Sequence, residues 1–414
     1  MNAGLVVFVP ALTVFLPFAA GYFLSFFFRN VNAIISRDLA TDFALSPADL
    51  GFLTSMYLLT FAAFQLPLGV LLDRYGPRRT VAALLWVAAG GALVFALARD
   101  LAMLSIGRAL IGLGVSAGLM GAIKAFSLWF PLGRLATLNG LYLAVGGLGA
   151  LAATVPAQAL VAVLGWRGMF GVCAALAVAA ALLVFFVVPE KPLPGHGETL
   201  TAQAAGFRRI FAMGAFWRIV LPYVFAQGTY LALQGLWLGP WLYDVAGAER
   251  AQVANYLFAA ALGYIAGSVF FGVSADRLAQ LGLSRLTVYK AGLVTSLAMF
   301  ALITSGVHQP LGIILPVYAF SGIGAALSYA LVTPLFPPEM TGRASTACNV
   351  LMFAFSFVAQ WGIGAVLRLF PIVDGRYAAA GYAAAFGALI ALQVAALVWL
   401  LPMRAPAGEA ARAA

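Results

Sequence analysis

Three positively charged side chains lie inside otherwise apolar stretches of this 414-residue chain, and they are the residues best suited to chemistry. Arg29 follows an uncharged run of 26 residues, Ala3 to Phe28, whereas Arg108 and Lys124 lie together in a later apolar stretch. The 13 Asp and Glu residues all lie at the ends of such stretches or in the loops between them. Because an isolated charge is costly in apolar surroundings, these cations are expected to be functional, with an anion from solution as their partner.

Arg29 is the principal candidate for an anion contact, because its planar guanidinium can bind an oxyanion through two parallel hydrogen bonds. It precedes the polar residues Asn30 and Asn32 near the end of the first apolar run. Two interpretations are open. Either Arg29 faces a central cavity, or the helix ends near Phe28 and the side chain extends to the membrane surface.

Arg108 and Lys124 each have two interpretations as well. Arg108 either binds an anion or braces neighbouring helices through backbone carbonyls, and Lys124 either faces a cavity or extends to the membrane surface, roughly 10 Å away. The two residues are 16 positions apart, which corresponds to roughly 24 Å along an ideal helix. We therefore expect two anion stations, or one station and one structural arginine, and not a single site with three cations.

A polar face is predicted in the second half of the chain, within residues 226–245. Gln227, Tyr230, Gln234 and Trp237 recur at spacings of three or four, which places them on one side of a helix. The first three are suited to hydrogen bonding with a bound molecule, and Trp237 offers an apolar surface. Packing or anchoring at the membrane interface is the alternative for the aromatic residues.

Composition defines the elements that must position these side chains. With 64% hydrophobic and 9% charged residues, the chain cannot be a water-soluble globular protein. Apolar runs long enough to cross a bilayer as helices occur at 10–36, 48–71, 79–98, 102–129, 135–163, 168–189, 217–243, 252–274, 286–306, 311–335, 344–369 and 378–402. An all-α membrane protein with twelve transmembrane helices is predicted.

A long polar stretch at 190–216 is predicted as a cytoplasmic linker, and it separates an N-terminal six-helix bundle at 1–189 from a C-terminal six-helix bundle at 217–414. With both termini in the cytoplasm, that side carries 14 Lys and Arg residues in its loops and the opposite side carries 6, as the positive-inside rule expects. The net charge of +10 therefore reflects membrane orientation, and nucleic acid is not expected as a partner.

The two halves repeat. GVLLDR at 69–74 is echoed by GVSADR at 272–277, so that Gly69, Asp73 and Arg74 match Gly272, Asp276 and Arg277 at a constant offset. The full segment GVLLDRYGPRR resembles the loop signature of the major facilitator superfamily, and GRALIGLGVSAG, which contains Arg108, resembles the fourth-helix pattern of that family. Duplicated bundles of this kind are typical of transporters that bind substrate near the bilayer midplane.

The resemblance covers essentially the whole chain and implies a multi-pass secondary transporter that works by alternating access, without ATP. It also implies a cytoplasmic latch that breaks when that side opens, formed by the two matching loop segments: Gly69, Asp73, Arg74, Arg78, Gly272, Asp276 and Arg277. The chain departs from drug/proton antiporters of the family, because its fifth helix lacks their Gly-Pro pair. An exporter of drugs is therefore disfavoured.

Together these features predict a transporter of a small organic anion, bearing a carboxylate or a phosphate, in the inner membrane. Alternatives are an exporter of amphipathic compounds, a carrier of zwitterionic peptides or iron chelates, and a membrane sensor that transports nothing. No nucleophile elbow, Walker sequence or His/Cys cluster occurs, so neither an enzyme nor a bound metal or cofactor is expected. The expected partners are the substrate and the lipid bilayer, with the protein a monomer.

Overall fold

The computed structural model describes residues 11–131, 134–191, 200–280, 284–306, 310–337 and 340–403, and these residues are almost entirely helical. They divide into two compact units. The N-terminal unit contains Met1–Leu45 and Phe52–Ala202, and the C-terminal unit contains Ser46–Gly51 and Gln203–Ala414. The predicted bundle boundaries at 189 and 217 stay predictions.

Seven helical elements follow the short π-turn Ala11–Phe15 and account for the first six predicted spans. They are Leu16–Asn30, Asn32–Phe43, Pro47–Ala96, Leu101–Val115, Gly118–Trp129, Leu135–Ala152 and Val155–Val187. A further helix, Leu200–Phe211, lies within the predicted linker.

Two glycines divide continuous helices into separate spans. Gly76 has φ 78° inside Pro47–Ala96, and Gly165 has φ 67° inside Val155–Val187. Only glycine adopts such a conformation readily, because it lacks a Cβ atom. Each glycine therefore turns the chain between two crossings, at a short break that the sequence also predicts between two spans.

The remaining helical elements belong to the C-terminal unit and account for the last six spans. They are Gly214–Ala232, Leu233–Trp237, Leu238–Asp244, Arg250–Gln280, Arg285–Thr304, Leu311–Gly322, Ile323–Ala326, Leu327–Val332, Thr333–Leu335, Thr341–Leu367 and Ala379–Leu400. Before the last helix, the strands Ile372–Val373 and Arg376–Tyr377 pair antiparallel.

We number the crossings 1 to 12 in chain order. Ten helices among the described residues are long and apolar enough to span a membrane, and one of them, Pro47–Ala96, contains spans 2 and 3 on either side of Gly76. Span 5 runs from Leu135–Ala152 into the beginning of Val155–Val187 and ends at Gly165. The predicted all-α architecture is confirmed.

Candidate functional site

In the N-terminal unit, two arginine guanidinium groups lie around the ring of Tyr57. The Cζ atom of Arg108 is 5.1 Å from the centre of this ring, and the Cζ atom of Arg29 is 6.0 Å from it. An aromatic face attracts a cation at such distances by about 0.5–2 kcal/mol. The structure therefore brings together two of the three predicted cations, which come from spans 1 and 4.

Arg29 is also in contact with two further rings. Its Cζ atom lies 4.6 Å from the ring centre of Phe26, one turn earlier in the same helix, and 5.2 Å from that of Phe61 in span 2. The side chain is partly exposed. We call Ser25, Phe26, Arg29, Tyr57, Phe61 and Arg108 the arginine–aromatic cluster.

The helix that contains Arg29 ends at Asn30, two residues after Phe28, but the chain stays largely helical beyond this point. After Asn30 the chain makes a single turn at Val31 and continues as the helix Asn32–Phe43. Arg29 consequently lies roughly 20 Å along the helix from the end of this extension. Helical backbone therefore lies on both sides of Arg29, and the role of its side chain stays a prediction.

Arg108 is 1% exposed and braces the end of span 1. Its Nη1 atom donates a hydrogen bond of 2.8 Å to the carbonyl oxygen of Phe28. That carbonyl belongs to the last turn of Leu16–Asn30, where backbone oxygens lack partners within the helix. The Nε atom of Arg108 has no hydrogen-bond partner among the described residues, so part of its donor capacity is left over.

Tyr57 is held in place by its hydroxyl group and by its backbone. The hydroxyl donates a hydrogen bond of 3.0 Å to the carbonyl oxygen of Ser25. On the other side, a methyl group added to Gly112 would collide with the carbonyl oxygen of Tyr57. Because Gly112 follows Arg108 by one helical turn, this close approach of spans 2 and 4 sets Arg108 against the ring of Tyr57.

Lys124 lies outside the arginine–aromatic cluster and forms an ion pair with Asp73. Both side chains are partly exposed, by 24% for Lys124 and 39% for Asp73. The sequence placed Asp73 in a cytoplasmic loop, but the helix of span 2 continues through that position and brings the carboxylate to Lys124. The premise that Lys124 lacks a protein counter-charge was wrong, and we expect Lys124 to make no contact with the substrate.

Among the other predicted latch residues of this unit, Arg78 has two partners. The Nε atom of Arg78 donates to the carbonyl oxygen of Phe185 at 2.7 Å, and Arg78 and Arg79 both pair with Glu190. Arg74 is exposed, and Gly69 lies one turn before Asp73 in the same helix. The side chains of the second segment lie outside the described residues: Gly272, Asp276 and Arg277. The latch role stays a prediction.

In the C-terminal unit, the predicted polar face is interrupted. The segment Leu233–Trp237 is a π-turn, which inserts an extra residue into the helix and rotates the side chains beyond it. Gln227 and Tyr230 precede this turn and are buried, whereas Gln234 within it is half-buried.

Trp237 is fully buried and donates a hydrogen bond of 2.6 Å from Nε1 to the carbonyl oxygen of Gln360. A tryptophan with its ring enclosed and its only donor satisfied is a packing residue. The prediction of a binding surface at Trp237 is therefore corrected by the structure. The reason is the π-turn, which the regular spacing of the sequence does not reveal.

Comparison with known proteins identifies the family. The model of the Major Facilitator Superfamily matches residues 18–360. This chain belongs to the Major Facilitator Superfamily.

Curated relatives of this superfamily member are transporters. The probable sulfoacetate transporter SauU of Cupriavidus necator is 23% identical over 374 residues, which cover 86% of this chain and 84% of the relative. The probable nitrate/nitrite antiporter NarK1 of Thermus thermophilus is 27% identical over 321 residues, or 73% of this chain and 68% of the relative.

Among solved structures, a bacterial homolog to the human lysosomal transporter Spinster has the same fold, with a TM-score of 0.69 at 18% identity. The similarity covers 97% of this chain and 95% of the other. The family and its curated relatives show that the superfamily member described here is a multi-pass membrane transporter and not an enzyme.

Sequence reasoning missed most of the residues around the two arginines of this transporter. Ser25, Phe26, Tyr57 and Phe61 lie in apolar runs in which such residues are normally packing residues. The residues near Tyr57 in the sequence could have indicated its role, because Thr54, Ser55 and Thr60 make this part of span 2 unusually polar.

Proposed function

We propose that this transporter carries a small organic anion with a carboxylate or phosphate group, and that Arg29 is its principal contact. The observation that supports this most is the pair of guanidinium groups around Tyr57, one partly exposed and one buried. Two positive charges in an aromatic environment of low polarity favour a negatively charged guest.

The geometry around Arg29 suits an oxyanion. Phe26 and Phe61 lie near its guanidinium at 4.6 and 5.2 Å from their ring centres. Aromatic contacts use the face of a guanidinium, whereas its N–H groups point outward along the edge, in the fork that matches two oxygens of a carboxylate or a phosphate. An anion bound at this edge would keep the cation–π contacts intact.

Two of the relatives support an anion as the cargo. One is described as a sulfoacetate transporter and the other as a nitrate/nitrite antiporter, and each of these solutes is an anion. In the C-terminal unit, Gln227, Tyr230 and Gln234 would contribute hydrogen bonds to the uncharged part of the substrate. Transport would proceed by alternating access, with the latch residues closing the cytoplasmic side.

The test is a transport assay in proteoliposomes with sulfoacetate, lactate and glycerol 3-phosphate as labelled probes. We expect uptake of at least one probe, and we expect Arg29→Gln to weaken its binding roughly 10- to 150-fold, because a charge-assisted hydrogen bond contributes about 1.5–3 kcal/mol. Arg29→Lys should recover part of this loss, since it keeps the charge without the fork.

Arg99→Gln is the matched control, because Arg99 is exposed at the end of span 3. It should leave uptake unchanged. Full transport activity in the Arg29→Gln variant would overturn the proposal, and so would transport of uncharged or cationic compounds with none of the three anions carried.

A further inference from the structure

The C-terminal unit contains buried polar atoms that its own residues leave without a partner. Among the described residues, the hydroxyl groups of Tyr230 and Tyr318 and the Oε1 atom of Gln227 have no hydrogen-bond partner. These side chains are only 3%, 2% and 7% exposed, respectively. A polar atom enclosed in this way normally has a partner, because its desolvation is costly.

The three side chains are neighbours. The ring centres of Tyr230 and Tyr318 are 5.7 Å apart, which joins span 7 to span 10. Gln227 precedes Tyr230 by one helical turn and therefore lies on the same side of span 7. The ring of Tyr230 also stacks on that of Tyr264 in span 8, with 5.4 Å between centres and 7° between planes.

Other buried tyrosines in this unit are satisfied by the protein. Tyr289 donates to the carbonyl oxygen of Ile219 at 2.7 Å. The hydroxyl groups of Tyr223 and Tyr329 lie 2.7 Å apart, and Tyr329 donates to Asn349. Missing partners are thus a property of Tyr230 and Tyr318 and not of buried tyrosines in this unit generally.

The surroundings of Tyr318 are apolar, because the ring of Phe300 stacks on it with 5.7 Å between the centres. A phenol in this position gains nothing from its hydroxyl group unless a hydrogen-bonding molecule reaches it. A phenylalanine would fill nearly the same volume without burying a hydroxyl group that has no partner.

We propose that Gln227, Tyr230 and Tyr318 bind a hydroxyl oxygen, supplied either by a hydroxyl group of the transported anion or by a water molecule. A hydroxyl group can donate its proton to the Gln227 oxygen and accept hydrogen bonds from both phenols, which matches the unpartnered atoms. The three side chains are uncharged, so a neutral group suits them. The first source rests on the proposed anion transport, and the second does not.

The experiment is a thermal-shift measurement on the purified full-length protein, without ligand and with propanoate or lactate. These two carboxylates differ by one hydroxyl group. The variants are Tyr230→Phe and Tyr318→Phe, each of which removes only an oxygen atom. Tyr289→Phe is the matched control, because it removes a buried hydroxyl that has a protein partner and should lower Tm without changing ligand preference.

If the substrate supplies the hydroxyl group, lactate raises the Tm of the original protein more than propanoate does, and both site variants lose this difference. If water supplies it, the two carboxylates act alike, and Tyr318→Phe lowers the ligand-free Tm as the control does. The proposal is overturned if two results occur together. The first is that both site variants match or exceed the ligand-free Tm of the original protein. The second is that the preference for lactate over propanoate is either retained in both site variants or absent from all the proteins.

Failure of the anion proposal would look different. In that case each carboxylate shifts the Tm of Arg29→Gln as much as that of the original protein. The ligand-free Tm of Tyr318→Phe, compared with that of Tyr289→Phe, still decides whether a water molecule binds to Gln227, Tyr230 and Tyr318.

Discussion

Tyr57 has two separable roles in the arginine–aromatic cluster. Its ring faces Arg29 and Arg108, and its hydroxyl group ties span 2 to the backbone of Ser25 in span 1. The ring orients the charges, whereas the hydroxyl group contributes to stability. Two substitutions can therefore separate anion binding from folding.

Replacing Tyr57 by Leu removes the ring that orients the two guanidinium groups, so that they must become ordered when the anion binds. We expect the Kd of the transported anion to rise by up to roughly 30-fold, the factor that corresponds to one cation–π contact of about 2 kcal/mol. Tyr57→Phe keeps the ring and should leave Kd nearly unchanged, while the loss of one hydrogen bond lowers stability by about 0.5–1.5 kcal/mol. Isothermal titration and thermal unfolding measure the two effects. Equal losses of affinity in both variants would contradict this assignment.

The ion pair of Lys124 with Asp73 leads to a second prediction. Both side chains are partly exposed, so a double-mutant cycle of Lys124→Gln and Asp73→Asn should give a coupling energy of only about 0.2–1 kcal/mol. Lys124→Gln should leave the Kd of the anion unchanged, since Lys124 lies apart from the arginine–aromatic cluster. Reversible unfolding in a denaturing detergent and ligand titration provide these values. A large rise in Kd would restore Lys124 as a substrate contact.

At the scale of the helical elements, Gly112 determines how closely spans 2 and 4 approach. A side chain there would collide with the backbone oxygen of Tyr57 and with the hydroxyl group of Thr60. We expect Gly112→Ala to destabilise the protein by about 1–3 kcal/mol through overpacking. It should also weaken anion binding, because the guanidinium of Arg108 moves away from Tyr57.

Gly90 provides the control for this substitution. It lies in span 3, and an added methyl group would meet no atom within 4 Å. Gly90→Ala should be neutral or stabilise the protein by about 0.5–1 kcal/mol, because alanine is the better helix former. Thermal stability and Kd should be measured for both variants. Similar behaviour of the two would show that the packing of spans 2 and 4 does not depend on Gly112.

Span 7 shows why helical spacing is an incomplete guide. The sequence places Gln227, Tyr230, Gln234 and Trp237 at intervals of a regular α-helix, and the first two do share a side of Gly214–Ala232. The π-turn at Leu233–Trp237 then changes the rotation per residue. Trp237 is consequently directed to the backbone of Gln360 and becomes part of the packing.

At the scale of the whole molecule, the orientation in the membrane is a prediction from charge. The natural cysteines Cys173 and Cys348 are buried, so a cysteine introduced at the surface can be labelled selectively. We expect Arg99→Cys to react with a membrane-impermeant maleimide in intact cells, because residue 99 is predicted outside. Arg134→Cys, also at an exposed position, should react only after the cells are permeabilised. The reverse pattern would mean that both termini lie outside.

The sequence by itself determined the class of protein, the approximate positions of the spans and the family, because hydropathy and short loop motifs are local properties of the chain. It also identified Arg29 and Arg108 as unusual, since a charge in an apolar run is visible without a fold.

Only the tertiary structure decided which side chains meet. The ring of Tyr57 contacts both arginines, so that residues of three spans meet. Lys124 instead forms an ion pair with Asp73. These contacts depend on the close approach of helices at Gly112 and on breaks in helical regularity, which arise from packing between distant segments.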